Sequence, residues 1–346
     1  MKYRTYPKTD LTVSEVGFGL WTMSTGWWGD KTDDDAVAML HEAFDLGITL
    51  YDAADTYGNG RSETQLAQAF GDRRERVIYA TKFGYDFVSP QNVEKRRGQF
   101  ELPHDFSPAF VRKALEASLR RLQTDYIDIY QMHNARMEQI DDDALWELLE
   151  SFKREGKIRM YGVALGPAIG WLYEGVDAVR KRNVASLQII WNALEQYPGK
   201  EQIDAAHTTG ADTGYMIRVP HSSGMLEGHY TENTVFAEND HRRHRPRAWL
   251  INGIKKVEQL RFLERSDRTL GQAAIAWLLA EPRVMSVLPN VYDREQLTEF
   301  AAAPDAPPLA PDELAKIDVL YAANFGIDEP PMNFKGTMSR DEPLPV

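Results

Sequence analysis

Leu50-Tyr51-Asp52-Ala53-Ala54-Asp55-Thr56-Tyr57-Gly58-Asn59-Gly60-Arg61-Ser62-Glu63 reads as a strand that turns polar and then becomes a helix. Ile48, Leu50 and Tyr51 are strand formers. The chain turns polar at Asp52, passes two glycines, and enters a helix at Ser62, the expected N-cap, with Glu63 at the positive end of the helix. A carboxylate and a phenol thus stand at the C-terminal edge of a strand. In a parallel α/β protein that edge is where ligands bind.

Working outward, the same rhythm repeats. Short apolar runs at 16–19, 48–52, 76–82, 125–131, 157–164, 186–191, 212–219 and 283–289 predict strands. Amphipathic stretches at 33–46, 62–70, 107–122, 142–155, 170–182, 199–209, 269–280 and 293–303 predict helices between and after them. Eight such units without a composition break favour a closed (β/α)8 barrel of the TIM type, one domain over 1–346. A doubly wound sheet is the runner-up, but no Gly-x-Gly-x-x-Gly follows any strand. Tyr3 to Pro7 and Leu11 to Val13 predict an N-terminal hairpin, and Trp21 to Asp30 a loop. Extended loops follow the third and seventh barrel strands, at 84–106 and 225–260. The tail from Pro304 holds one more helix near 311–321.

Composition narrows the function. The formal charge of −12 argues against nucleic acid or an anionic membrane as partner. With no cysteine there is no disulfide and no thiolate nucleophile. Met1 to Asp10 lacks the apolar core of a signal peptide. The longest apolar run, Ala273 to Ala280, falls far short of the ~20 residues that cross a bilayer. The expectation is a cytoplasmic enzyme acting on a small molecule.

Four polar residues interrupt apolar strand ends: Asp52 and Tyr57, Lys82 in Ala80-Thr81-Lys82-Phe83-Gly84, and His133 in Tyr130-Gln131-Met132-His133-Asn134. Each alone has a mundane use, as a turn cap, a snorkelling amine or a packed ring. On three successive strands at one edge they would converge in one pocket. A phenol has a reference pKa near 10, and a lysine cation nearby stabilises its phenolate. A carboxylate keeps that lysine charged and placed, and a histidine polarises a carbonyl oxygen or shares the proton.

The chain resembles an aldo-keto reductase along nearly its whole length. The motifs are Gly17-Phe18-Gly19-Leu20-Trp21, the Tyr51-to-Glu63 stretch, Ala80-Thr81-Lys82, Ser118-Leu119-Arg120-Arg121-Leu122 with Asp125-Tyr126-Ile127-Asp128, and Gln131-Met132-His133. The resemblance implies a barrel that binds a nicotinamide dinucleotide, NADP with NAD admissible, across the strand ends. It also implies a catalytic tetrad of Asp52, Tyr57, Lys82 and His133, with Tyr57 as proton donor. The implied cofactor contacts are Trp21, Asp52, Gln188, Arg218, the phosphate loop at Pro220, His221, Ser222, Gly224 and Leu226, and Asn290, Arg294 and Gln296.

The cofactor seat departs from the family pattern. The Ser-Asn pair that usually ends the fifth strand is Ala164-Leu165, and Arg218 stands where an aromatic ring normally stacks. Asn290 and Gln296 occupy the places of the Lys/Arg pair for the 2′-phosphate, with Arg294 nearby and Asp293 set to repel. Trp21, Trp27 and Trp28 would line the substrate side with Tyr57 and His133. His241-Arg242-Arg243-His244-Arg245 reads as a solvated loop, since a metal site there lacks ligand spacing. The leading reading is an NAD(P)H-dependent oxidoreductase interconverting a carbonyl compound and its alcohol. The altered seat keeps a redox-neutral isomerase, epimerase or lyase as the alternative, and a non-enzymatic cofactor-sensing partner protein as a third. Substrate identity and oligomeric state are not legible in the sequence.

Overall fold

Strands whose alternate residues are apolar can close around their own side chains, and the computed structural model, which describes residues 1–89, 102–328 and 338–339, shows that closure. An antiparallel hairpin, β1 (Tyr3–Thr5) and β2 (Thr12–Ser14), precedes eight parallel strands. These are β3 (Phe18–Gly19), β4 (Leu50–Asp52), β5 (Ile78–Phe83), β6 (Ile127–His133), β7 (Ile158–Ala164), β8 (Ser186–Ile190), β9 (Gly214–Arg218) and β10 (Val284–Leu288). They pair in sequence order from β3 to β10. The ring closes through one bridge between Val16 and Val287, where Gly17 N–H donates to Val287 O at 2.9 Å and Val287 N–H to Glu15 O at 2.8 Å.

The inward file of each strand explains what the barrel holds. Leu50, Ala80, Ile129, Met160 and Met216 form one buried layer with Tyr6, Leu11 and Val13 of the hairpin, which plugs the N-terminal end. Two residues further along each strand lie Asp52, Lys82, Gln131, Gly162 and Arg218. Because side chains repeat with period two, these five share the inner face one layer higher, at the C-terminal mouth. Arg4 ties the plug down by donating to the carbonyls of Glu281, Val284 and Leu279.

Several boundaries differ from expectation for identifiable reasons. The predicted Ser62 N-cap is corrected: the helix Arg61–Phe70 is capped by Gly60 at φ 91°, where an added Cβ would meet Arg121 Cδ at 2.5 Å. Ser62 Oγ instead donates to Ala54 O at 2.9 Å and pins the turn that carries Tyr57. The loop expected at Trp21 to Asp30 begins with a one-turn helix, Trp21–Ser24. The long excursion after β9 contains the helix Arg247–Glu258, whose Trp249, Leu250, Gly253 and Val257 are buried. That spacing was legible but was masked by the charged run before it. Lys95, Arg96 and Arg97 lie outside the described residues. Among the described residues no helix is long and apolar enough to cross a membrane.

Candidate active site

Register brings the four predicted polar residues to one place. Asp52 ends β4 beside Ala80, Lys82 on β5 stands beside Gln131 on β6, and His133 ends β6 beside Ala164. Lys82 is 1% exposed, so it does not snorkel outward. Its Nζ donates to Asp52 Oδ2 at 2.7 Å and to Ala53 O at 2.7 Å, and lies 4.8 Å from the centre of the Tyr57 ring. Burial works against the ammonium, but the negative charge of Asp52, with Tyr57, outweighs it and raises the Lys82 pKa. The second carboxylate oxygen, Asp52 Oδ1, accepts from Gln188 Nε2 at 2.9 Å and from Gln131 Nε2 at 3.4 Å. Such a buried ion pair persists only because both partners are further hydrogen-bonded.

His133 meets the Tyr57 ring edge-on at 5.9 Å and the Tyr85 ring at 5.0 Å. Burial, and then the charge of Lys82, depress its pKa well below the usual histidine value. His133 is therefore neutral at physiological pH, with a buried Nδ1 that has no partner among the described residues. Tyr85 and His104 were missed by the sequence reading. Tyr85 accepts from Asn134 Nδ2 at 2.6 Å, and its ring lies tilted at 4.3 Å from that of His104. Nothing local in the sequence marks His104 for that position.

Beside these four residues a cleft of about 140 Å³ runs between Trp21, Trp28, Tyr197, Arg218, Ser223, His241, Arg245 and Asn290. Arg218 joins the two regions. Its Nη2 donates to Leu165 O at 2.5 Å, its buried Nε has no partner among the described residues, and burial lowers its pKa against the pull of Tyr57 and Asp52. Directly after it Val219, Ser222, Ser223 and Gly224 all take left-handed backbone, at φ 56°, 48°, 58° and 90°. A β-branched residue in that region is held there by its surroundings. The N–H groups of Ser222, Met225 and Leu226 donate to the carbonyls of Val219, Ser222 and His221 at 3.1, 3.3 and 3.0 Å, which fixes the turn.

The sequence profile of the Aldo/keto reductase family matches residues 15–322. The chain belongs to this family. The Uncharacterized oxidoreductase YqkF of Bacillus subtilis is 30% identical over 91% of this chain and 94% of its own. The NADH-specific methylglyoxal reductase of Escherichia coli is 28% identical over 85% of this chain and 91% of its own. The glycerol dehydrogenase AKR11B4 of Gluconobacter oxydans superposes with a TM-score of 0.78 at 25% identity, covering 96% of this chain and 98% of its own.

In this aldo/keto reductase several residues expected at the cofactor are committed elsewhere. Gln188 is bound to Asp52. The His221 ring stacks on Phe300 at 4.4 Å with Nε2 3.0 Å from Gly271 O, and burial pushes its pKa down to about 4. Pro220 and Leu226 are buried beside it, and Ser222 and Gly224 form the left-handed turns. Gln296 accepts from Tyr292 N at 2.9 Å and donates to Glu227 Oε2 at 2.8 Å. Arg294 is mostly exposed and pairs with Glu42 at 3.0 Å, while Asn290 lines the cleft. Asp293 caps the helix Arg294–Ala301 through Gln296 N at 2.9 Å.

The reading of residues 241–245 as a solvated loop is corrected. His241 packs against Trp21, Trp27 and Trp28 at 5.1, 5.8 and 5.7 Å, and its N–H donates to Trp27 O at 2.9 Å. Arg242 holds Asp240 through Nη2 at 2.6 Å, with its guanidinium 4.9 Å from the centre of the Trp28 ring. Only Arg243 and His244 face solvent. Aromatic rings in two distant segments decide this, and a local reading of charge cannot see them. Trp28 is consequently a packed wall of the cleft, Trp21 is its more open neighbour there, and Trp27 is half-buried and not among the cleft's lining residues.

Proposed function

We propose that this protein is an NAD(P)H-dependent oxidoreductase that interconverts a small carbonyl compound and its alcohol, with Tyr57 as general acid and base. The observation that carries the reading is the buried Lys82–Asp52 pair at 2.7 Å lying against the face of Tyr57. When bound, a reduced nicotinamide supplies the hydride that arrives at the carbonyl carbon. Tyr57 gives its proton to the carbonyl oxygen, and the Lys82 ammonium stabilises the phenolate left behind. Asp52 fixes that ammonium in place, and neutral His133 orients the oxygen without competing as an acid. In the reverse direction Tyr57 takes the alcohol proton.

Support for a dinucleotide comes from two features of the chain. The turn at Ser222 to Gly224 stands where the family's phosphate loop is expected, and the buried Nε of Arg218, without a partner among the described residues, suits a carbonyl-type acceptor. NADP is the expected form, with NAD admitted because Asn290 and Gln296 are neutral and Arg294 is already paired with Glu42. Glycerol dehydrogenase and methylglyoxal reductase, the activities named for two relatives, support a small polar substrate lodged against Trp21, Trp28, Tyr57 and His133. A reducing cytoplasm suits a chain without cysteine.

Tyr57→Phe tests this. The variant is expected to melt and to bind dinucleotide like the wild type, while carbonyl reduction slows by about 10²- to 10⁴-fold. Unchanged turnover in that variant would overturn the role. Failure of the wild type to oxidise NADPH or NADH with any aldehyde, ketone or sugar would favour the redox-neutral alternative.

A further inference from the structure

We infer that Arg218 replaces the polar pair missing at positions 164 and 165, and that it makes the seat bind the reduced dinucleotide more tightly than the oxidised one. The inference rests on the nicotinamide reading above. Ala164 and Leu165 are buried and apolar, so their side chains offer a carboxamide group nothing. Arg218 reaches across from β9 and docks its Nη2 on the backbone oxygen of Leu165 at 2.5 Å. A planar guanidinium thereby lies at the polar position that strand β7 vacated. Its buried Nε–H, which has no partner among the described residues, is the donor that an amide oxygen would satisfy.

Charge makes the second half of the argument. Around the mouth, Lys82 is neutralised by Asp52, and His133 is uncharged. Among the described residues no carboxylate pairs with Arg218. Glu195 and Arg245, which line the same cleft, offset each other in sign, so the seat carries about one net positive charge in a setting where a buried ion is normally paired. An oxidised nicotinamide ring is itself a cation, whereas the reduced ring is neutral. A cation fixed a few Å from the ring penalises only the former, so the two dinucleotide forms are separated in affinity by the guanidinium rather than by shape. Arg218 in this role is a binding residue, and it favours the form that enters carbonyl reduction.

The test is an equilibrium titration of protein fluorescence with NADPH and NADP⁺, and with NADH and NAD⁺, on three proteins. Wild type is expected to bind the reduced form at least about tenfold more tightly, a modest fraction of the Coulomb penalty at an effective dielectric near 20. Arg218→Gln keeps a donor and removes the charge, so its preference should shrink about tenfold, chiefly through tighter binding of the oxidised form. Arg218→Lys keeps the charge and loses the plane, so it should retain the preference while both forms bind more weakly. Melting curves confirm that each variant is folded. An unchanged reduced-to-oxidised ratio in Arg218→Gln overturns the inference and leaves the proposed function standing. Absence of binding by either form to the wild type overturns both.

Discussion

The mouth of this barrel has two halves built by opposite means. Along β4, β5 and β6 the inward residues centre on an ion pair: Asp52 receives Lys82 and Gln131, and Gln188 from β8, on its two oxygens, while Gln131 Oε1 and His133 Nδ1 have no partner among the described residues. Along β7 and β9 the corresponding edge is Gly162, Ala164, Leu165 and one guanidinium with a donor to spare. The charges of the first half are paired and fixed before any ligand arrives, whereas the charge of the second, on Arg218, has no carboxylate partner among the described residues. A proton-transfer site needs fixed geometry, since misplacement of the groups is felt directly in rate. A seat for a ligand that comes and goes can leave a donor open, because the ligand itself completes it.

Breaking the first half should have the largest effect. Lys82→Met leaves Asp52 charged and buried, and is expected to lower unfolding free energy by about 3 kcal/mol or more. Carbonyl reduction should fall with it, read by denaturant melts and steady-state rates. Full stability in that variant would mean that the pair at 2.7 Å contributes nothing to the fold.

Acid offers the next perturbation, through the second half. His221 has a pKa of about 4 when folded and an ordinary value when unfolded, so the unfolded chain binds the extra proton in between. Stability from this group is therefore complete above about pH 6.5 and is lost as pH falls toward 4, by about 3 kcal/mol at most. His221→Phe, which keeps the stack on Phe300, should flatten that part of the pH–stability curve. An unaltered slope would remove His221 from the account.

Gln188 distinguishes the halves directly. If it serves the ion pair, Gln188→Leu should destabilise by about 1–2 kcal/mol, because Asp52 Oδ1 keeps only the 3.4 Å contact from Gln131. A loss of NADPH affinity with stability intact would instead assign it to the seat. The smallest effect belongs to Glu42→Ala, which removes the partner of exposed Arg294. Stability should change by less than about 0.5 kcal/mol. The ratio of NADPH to NADH affinity should rise a few-fold, and a constant ratio would detach Arg294 from the 2′-phosphate.

Which features were legible in the sequence follows from the range of the forces involved. The alternation of short apolar runs with amphipathic stretches predicted eight strands and the barrel, because burial on one face imposes periodicity locally. Asp52, Tyr57, Lys82 and His133 stood out because a polar residue at the end of an apolar strand is conspicuous. The Ser62 cap failed because Gly60 alone tolerates both φ 91° and the pressure of Arg121 from another helix. The run 241–245 failed because its fate was set by tryptophans more than 200 residues earlier.

By itself, then, the sequence determined the barrel, its mouth and the four groups gathered there, since these depend on side-chain period and on residue type. Tertiary structure alone decided the partners. It gave Gln188 to Asp52, turned the His221 ring into the core, drew Arg242 over Trp28, and laid Arg218 on the carbonyl of Leu165. A hydrogen bond or a ring contact is fixed only when two distant backbones have been brought within a few Å. No pattern confined to one segment records which of several candidates will be there to meet it.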